Sequence, residues 1–401
     1  MLQIAPAQRM NEIPFSGIRK IVQEATQLEK AGARILHLEI GRPDFDTPQH
    51  IKDAAKRALD EGWVHYTSNY GIIELREAIA EKLSRENQIH VDPATEIIVT
   101  VGTNEAVAIT MLALINPGDE VLIPDPAWLH YFYCVQLAGG VPVHVPLKAE
   151  NQFQIDPSDL QRAITPKTKM IVVNSPHNPT GAVLNQTVLT EIAQVAIANN
   201  VLVLSDEIYE KILYDGAKHF SIASLPGMAE RTITVNGFSK TYSMTGWRIG
   251  YVAARQELID AMIRVHQYTV TSATSFAQFG ALAACRGAQD CVRDMVGEFD
   301  RRRQFLMRAL AQIEGLDCVK PRGAFYAFPS IKRLGVSSDA LALYLLREAG
   351  VAVVSGSAFG EFGEGYLRLA YSNTYENIVE AVERIALALR QIPLNLKQTS
   401  A

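Results

Sequence analysis

The sequence predicts an α/β protein, with a parallel-rich mixed sheet in a large domain and a smaller α+β domain beside it. Three observations carry this expectation. Short β-branched apolar runs recur between residues 97 and 253, as strands buried on both faces do. Helix-like stretches separate most of these runs, and such alternation favours parallel strands. After about residue 290 the texture changes to a long charged amphipathic helix followed by short strands and further helices.

Taken in order, residues 12–32 read as a helix, because Ile13, Ile18, Ile21, Val22, Ala25 and Leu28 recur at roughly helical spacing and Gly32 is placed to end it. LHLEIGRPDFDTP reads as a short strand and a proline-rich turn, and residues 48–60 and 71–86 as helices. The strand runs follow at Ile97–Val101, Glu120–Ile123, Val141–Val145, Met170–Val173, Val201–Leu204, Thr232–Val235 and Ile249–Ala253. The long helix spans about Val296–Glu314, then come AFYAF, another helix, VAVV, YLRLA and a last helix to about Arg390. The large domain is expected over residues 47–288. The small domain combines residues 1–46 with 289–401, and the tail NLKQTSA is expected to fray.

Composition narrows the function. The chain has 401 residues, 48% of them hydrophobic and 20% charged, as an ordinary globular protein does. A formal charge of −5 makes a poor binder of nucleic acid or anionic membrane. No apolar run approaches the roughly 18 residues of a membrane span. The start, MLQIAPAQRMNEIPF, lacks the basic and apolar segments of an export signal. Cys134, Cys285, Cys291 and Cys318 are sparse and form no CxxC pair; they read as buried thiols, and the expected location is the cytoplasm. No GxxxxGK, HExxH or GxSxG motif occurs.

Four polar clusters stand just past the carboxyl ends of predicted strands. Gly102-Thr103-Asn104 follows IIVTV and opens a helix, Asn178-Pro179-Thr180-Gly181 follows MIVVNSPH, Asp206-Glu207-Ile208-Tyr209 follows VLVLS, and Ser239-Lys240 follows TITVNGF. In an open α/β sheet that edge is where ligands bind. Singly, each has a plain alternative: a turn, a helix cap, a solvated lysine, or, for Arg248, a surface ion pair. Together they suit one ligand. Its phosphate would meet the amides of residues 102–104 and Arg248. Its ring nitrogen would meet Asp206, and its ring oxygen Tyr209 and Asn178. Its carbonyl would meet the amine of Lys240. Pyridoxal 5′-phosphate has these four parts.

The stretch SKTYSMTGWRIGY resembles the cofactor-lysine signature of class I/II aminotransferases, which are fold-type-I pyridoxal-phosphate enzymes of the aspartate aminotransferase superfamily. IGRPDFDTP, HYTSNYGIIELREAIA, NSPHNPTGAV, SDEIYEKILY, GAFYAF, SGSAFG and GYLRLAYSN fall in the family's order, so the resemblance covers nearly the whole chain. It implies that Lys240 carries the cofactor as a Schiff base and then moves the Cα proton. It implies that Asp206 pairs with the pyridine nitrogen, Tyr209 and Asn178 with the ring oxygen, and Trp128 with the ring face. Gly102, Thr103, Asn104, Ser239 and Arg248 would bind the phosphate, joined by Tyr66 from a neighbouring subunit in a homodimer. Arg368 would pair with the substrate α-carboxylate, aided by Gly41, with Trp128 and Asn178 also facing substrate. Family members often place a serine three residues before the lysine; here Gly237 stands there.

The implied reaction is a ping-pong exchange of an amino group between an L-α-amino acid and a 2-oxo acid. The same motifs would also serve a β-lyase, a synthase or an oxidase. A metabolite-sensing regulator is a further alternative, but no basic DNA-binding segment precedes the fold. Phe15, Ser16 and Ile18 lie where relatives shape the side-chain pocket. Some aspartate-using relatives carry lysine at the position of Asn104.

Overall fold

The structure, a computed structural model, describes residues 6–393 and 396. Apart from Leu396, the tail expected to fray lies outside the described residues, as do residues 1–5.

All seven runs between 97 and 253 are strands of one sheet. Their order is Ile97–Thr100, Gly250–Ala253, Thr232–Gly237, Leu202–Asp206, Thr168–Asn174, Glu120–Asp125, Val141–Pro146. Neighbours pair in parallel except around Gly250–Ala253, which is antiparallel to both of its partners. Twelve residues, 238–249, join it to Thr232–Gly237; they hold one 3₁₀ turn and no α-helix, and the chain returns beside the strand it has just left. Side chains alternate between two cores. Val121, Ile123, Met170, Val172 and Leu204 face one, while Leu122, Ile171, Val173 and Val203 face the other. Burial on both faces is why these runs read as continuous apolar stretches.

The helices expected at 48–60 and 71–86 appear as Gln49–Asp60 and Ile73–Lys82, the latter continued by a π turn at Leu83–Asn87. The first helix is shorter than its apolar spacing suggested, at Gly17–Lys30, because residues 8–12 form a separate 3₁₀ turn. The long charged helix begins earlier than expected, at Asp290–Leu310.

Outside the main sheet, Leu36–His37 pairs in parallel with Val351–Ala352, and Leu367–Ala370 lies between Val354–Ser355 and Tyr326–Ala327. One core joins Ile21, Ala25, Leu36 and Leu38 to Phe299, Leu306, Phe325, Leu345, Val351 and Leu369. The beginning of the chain is thus packed into its last third. Of the cysteines, only Cys134 is fully buried; Cys285, Cys291 and Cys318 are partly so, and all four are free thiols. Cys285 and Cys291 lie on helices and Cys318 in irregular chain, and their neighbours do not wholly cover those three residues, a degree of cover that residue type alone did not reveal. Among the described residues no helix is long and apolar enough to cross a membrane.

Candidate active site

Ile97–Thr100, Thr168–Asn174, Leu202–Asp206 and Thr232–Gly237 run in the same direction, so their carboxyl ends share one edge. A cavity of about 390 Å³ opens there, within the size range of small-molecule sites. Gly41, Thr103, Asn104, Trp128, Asn178, Asp206, Tyr209, Ser239, Lys240, Arg248 and Arg368 all line it.

One end of the cavity is built for an anion. The helix Gly102–Leu114 begins there, with its free amides at the cavity edge. Arg248, in a left-handed backbone conformation (φ 55°, ψ 50°), lays its guanidinium across the helix start. Gly102 has φ +72°, and a Cβ on it would stand 2.4 Å from Arg248 Nη2. Only a glycine lets the two approach. Arg248 donates to the carbonyl oxygens of Thr245 (3.1 Å) and Val101 (3.4 Å). A cation held against the positive end of a helix is electrostatically incomplete, and a bound anion would complete it.

The middle of the cavity holds Asp206, 1% exposed at the end of its strand. Its Oδ2 accepts from the Tyr131 hydroxyl at 2.7 Å and its Oδ1 from the Ile208 amide at 3.1 Å. Burial lifts its pKa to about 6, against the pull of those two donors. Trp128 stands beside it, its ring 4.7 Å from that of His130 and edge-on to Tyr131 at 5.5 Å. His130 is tied to the carbonyl oxygen of Asn104 at 2.8 Å, which links the aromatic wall to the anion end. The Tyr209 hydroxyl meets that of Tyr326 at 2.7 Å.

Lys240 follows directly on its strand and donates to the Gly41 carbonyl oxygen at 2.7 Å. Burial lowers its pKa to about 8, and the charges of Arg368 and Arg248 reinforce the shift. Arg368, 2% exposed, comes from the strand Leu367–Ala370. It donates to Asn178 Oδ1 (3.2 Å) and to the Glu39 carbonyl oxygen, while its Nε has no partner. Tyr326 and Phe359 lie 4.6 and 4.9 Å from its guanidinium carbon. Three cations therefore converge on a cavity lined by two buried acidic residues, Asp206 and Glu39.

Of the residues expected to bind cofactor or substrate, Gly102 and Tyr66 do not line the cavity, nor do Phe15 and Ser16 from the expected side-chain pocket. Gly102 lies behind Arg248, as described. Tyr66 stands apart and is 87% exposed. Of the residues expected near the side-chain pocket, Ile18 lines the cavity, whereas Phe15 is 97% exposed and borders a neighbouring groove. Sequence reasoning missed Tyr131, Tyr326 and Asn174. Asn174 Oδ1 accepts from the Asn178 amide (3.0 Å), and its Nδ2 donates to the Asp206 carbonyl oxygen (3.0 Å). It ends a strand next to a polar cluster, and that position was its one available signal.

The sequence pattern of the aminotransferase class I and II family matches residues 33–385. This chain belongs to the class I and II aminotransferases. The aspartate aminotransferase of Pyrococcus abyssi is 48% identical, over 97% of this chain and 99% of its own length. The aromatic-amino-acid aminotransferase 2 of Thermococcus litoralis is 46% identical, with the same coverage. The solved structure of the Thermus thermophilus aspartate aminotransferase superposes with a TM-score of 0.92 at 41% identity, covering 96% of this chain and all of that one. This aminotransferase is accordingly an enzyme that moves amino groups, which selects among the reactions that the motifs left open. Relatives of nearly equal identity carry different substrate names, so the side chain it accepts is a question for the cavity.

Members of this family work with pyridoxal phosphate, and the residues present fit that group. The glycine-opened helix start beside Arg248 suits a phosphate. The buried carboxylate of Asp206 suits a cationic ring nitrogen. The depressed pKa of Lys240 suits an amine that must react with an aldehyde near neutral pH.

Proposed function

We propose that this aminotransferase exchanges an amino group between an L-α-amino acid and a 2-oxo acid in two half-reactions, with pyridoxal 5′-phosphate held covalently by Lys240. The observation that carries this is the lowered pKa of the Lys240 amine, set between two arginines and facing one buried aspartate. When bound, the cofactor supplies an aldehyde carbon for the amine and a ring that takes up the electron pair released at the substrate Cα.

The chain's own residues do the rest. The amides of Gly102, Thr103 and Asn104, with Arg248 and the Ser239 hydroxyl, hold the phosphate. Asp206 keeps a proton on the ring nitrogen, and Tyr131 orients that carboxylate. Tyr209 and Asn178 serve the ring oxygen, and Trp128 covers one ring face. With substrate in place, the neutral amine of Lys240 would be the group that accepts and carries the Cα proton. Arg368 would grip the α-carboxylate with Gly41 alongside, which would orient Cα toward the Lys240 amine.

Ile18, Val22 and Ile40 supply apolar lining, and Lys240, Arg248 and Arg368 are the cations among the described lining residues. With each of these three assigned, the lining supports an apolar or aromatic amino donor better than an acidic one. A division into a domain of residues 47–288 and a second of 1–46 with 289–401 is supported by the core that joins the two ends of the chain. A homodimer is supported by a surface patch. Trp63, Val64 and Tyr66 are exposed on a loop and Tyr268 on the last turn of the helix Gln256–Thr269, and the Asn69 side chain joins the two segments by donating to the Thr271 carbonyl oxygen. In that dimer Tyr66 would reach the partner's phosphate site. The four free thiols suit a reducing compartment, and we assign the protein to the cytoplasm.

Borohydride reduction of the cofactor-loaded enzyme, followed by peptide mass analysis, tests the covalent link. The adduct should sit on Lys240 and be absent from Lys240→Ala. An adduct on another lysine would overturn the assignment. A donor panel assayed with 2-oxoglutarate and pyruvate then tests the side-chain reading. Mixing inactive Tyr66→Ala and Lys240→Ala subunits should regenerate activity if the sites are shared.

A further inference from the structure

We propose that Asp125, outside the cavity, is a positioning residue for substrate carboxylate binding, acting on Arg368 through the loop Phe359–Phe362. The inference rests on Arg368 being the carboxylate anchor.

Asp125 ends the strand Glu120–Asp125 and is fully buried. Its Oδ2 accepts from His144 Nδ1 at 2.5 Å and from the Glu361 amide at 3.1 Å. Two residues on, the Ala127 amide donates to the Phe359 carbonyl oxygen at 2.7 Å. Between these fastenings lies Gly360, with φ +123°, and a Cβ there would stand 2.2 Å from Asp125 Oδ1. The carboxylate thus lies flat on the loop backbone, leaving no room for a side chain.

Phe359, next in the chain, is fully buried with its ring 4.9 Å from the Arg368 guanidinium carbon. Among the described residues Arg368 has two hydrogen-bond acceptors, Asn178 Oδ1 and the Glu39 carbonyl oxygen, and its Nε meets none. Its plane is therefore set largely by the rings of Phe359 and Tyr326. The path from Asp125 to Arg368 runs through Gly360 and Phe359, with the Ala127 amide fastening Phe359 from the same segment. A bidentate grip on a carboxylate depends on that plane, so a loosened loop should weaken carboxylate binding and leave the proton chemistry at Lys240 in place.

The test uses the full chain loaded with pyridoxal phosphate. Asp125→Asn keeps the shape but removes the charge that both N–H donors meet at Oδ2, and sets an amide NH2 where Oδ1 lies against Gly360. Gly360→Ala keeps the carboxylate but forces it off the loop, and it carries the test if Asp125→Asn does not fold. The readouts are calorimetric binding of the non-reacting carboxylate 3-phenylpropionate, KM and kcat for donor and acceptor, and amide hydrogen exchange at residues 359–363. Each variant should bind 3-phenylpropionate about tenfold more weakly, the loss expected from one hydrogen bond to a charged group. Both KM values should rise by a similar factor, kcat should stay within about twofold, and exchange in the loop should quicken while cofactor content is unchanged. If Arg368→Leu weakens binding of the carboxylate but neither Asp125→Asn nor Gly360→Ala does, this inference is wrong and the reading of Arg368 stands. If Arg368→Leu itself leaves binding unchanged, the reading of Arg368 is wrong. A fall in kcat without a change in KM would equally overturn the positioning role.

Discussion

The amine of Lys240 can be interrogated before any substrate is added. In the cofactor-free cavity its pKa falls from 10.5 to about 8, chiefly because the charged form is desolvated, with Arg368 and Arg248 adding repulsion and Asp206 opposing them. At pH 7 an amine of pKa 8 is neutral in about one molecule in eleven. An ordinary lysine near 10.4 is neutral in about one in 2,500. If the two neutral amines are equally nucleophilic, Lys240 should capture an aldehyde about 200-fold faster than a surface lysine such as Lys56, whose side chain is 68% exposed. The assay is pulse labelling of the cofactor-free enzyme with a small aldehyde and borohydride across a pH series, each lysine being quantified by peptide mass analysis. Labelling of Lys240 should rise with a midpoint near pH 8. Arg368→Leu removes the larger charge contribution and should move that midpoint upward, while burial keeps it below the ordinary value. A midpoint near 10, or labelling of Lys240 no faster than that of Lys56, would refute the reasoning. An unmoved midpoint in Arg368→Leu would refute its electrostatic part.

Arg368→Leu should also lower kcat/KM for amino acids by about two hundredfold to several thousandfold, since two charge-assisted hydrogen bonds are worth about 3–5 kcal/mol together. Steady-state assays on an amino acid and on the matching amine without the carboxylate should show the loss only for the former. Tyr131→Phe removes a donor that lowers the pKa of Asp206, so that pKa should rise above about 6. Because only the ionised carboxylate pairs with a cationic ring nitrogen, cofactor retention should then fail at a higher pH as the solution is acidified, which a spectroscopic titration of the bound chromophore would detect. Gly102→Ala would drive a methyl group into Arg248 and strain a positive φ. Its cofactor affinity, measured by equilibrium dialysis, should fall by about ten- to a hundredfold, in line with about 1–3 kcal/mol of strain.

Much of this was legible in the sequence for specific physical reasons. The strands are legible because burial on both faces requires unbroken runs such as IIVTV and MIVV. The direction of Gly250–Ala253 was not, because apolar content carries no sign; only the missing helix before it pointed to a reversal. The polar members of the cavity could be picked out because they interrupt apolar runs at strand ends. Tyr131 and Tyr326 could not, since an aromatic ring whose one polar atom finds its partner far along the chain reads as core. Phe15 was placed near the pocket for the opposite reason. Its apolar ring suggested a lining role, yet it faces outward at the start of the first helix.

The reversed strand has one more implication. The backbone leaves the sheet at Gly237 and re-enters opposite it at Gly250, so Lys240 and Arg248 sit on one short lasso clamped at both feet. Its length sets the gap between the covalent tether and the countercharge for the phosphate. Side chains along it can be exchanged one at a time, but an added or deleted residue would alter that gap at once.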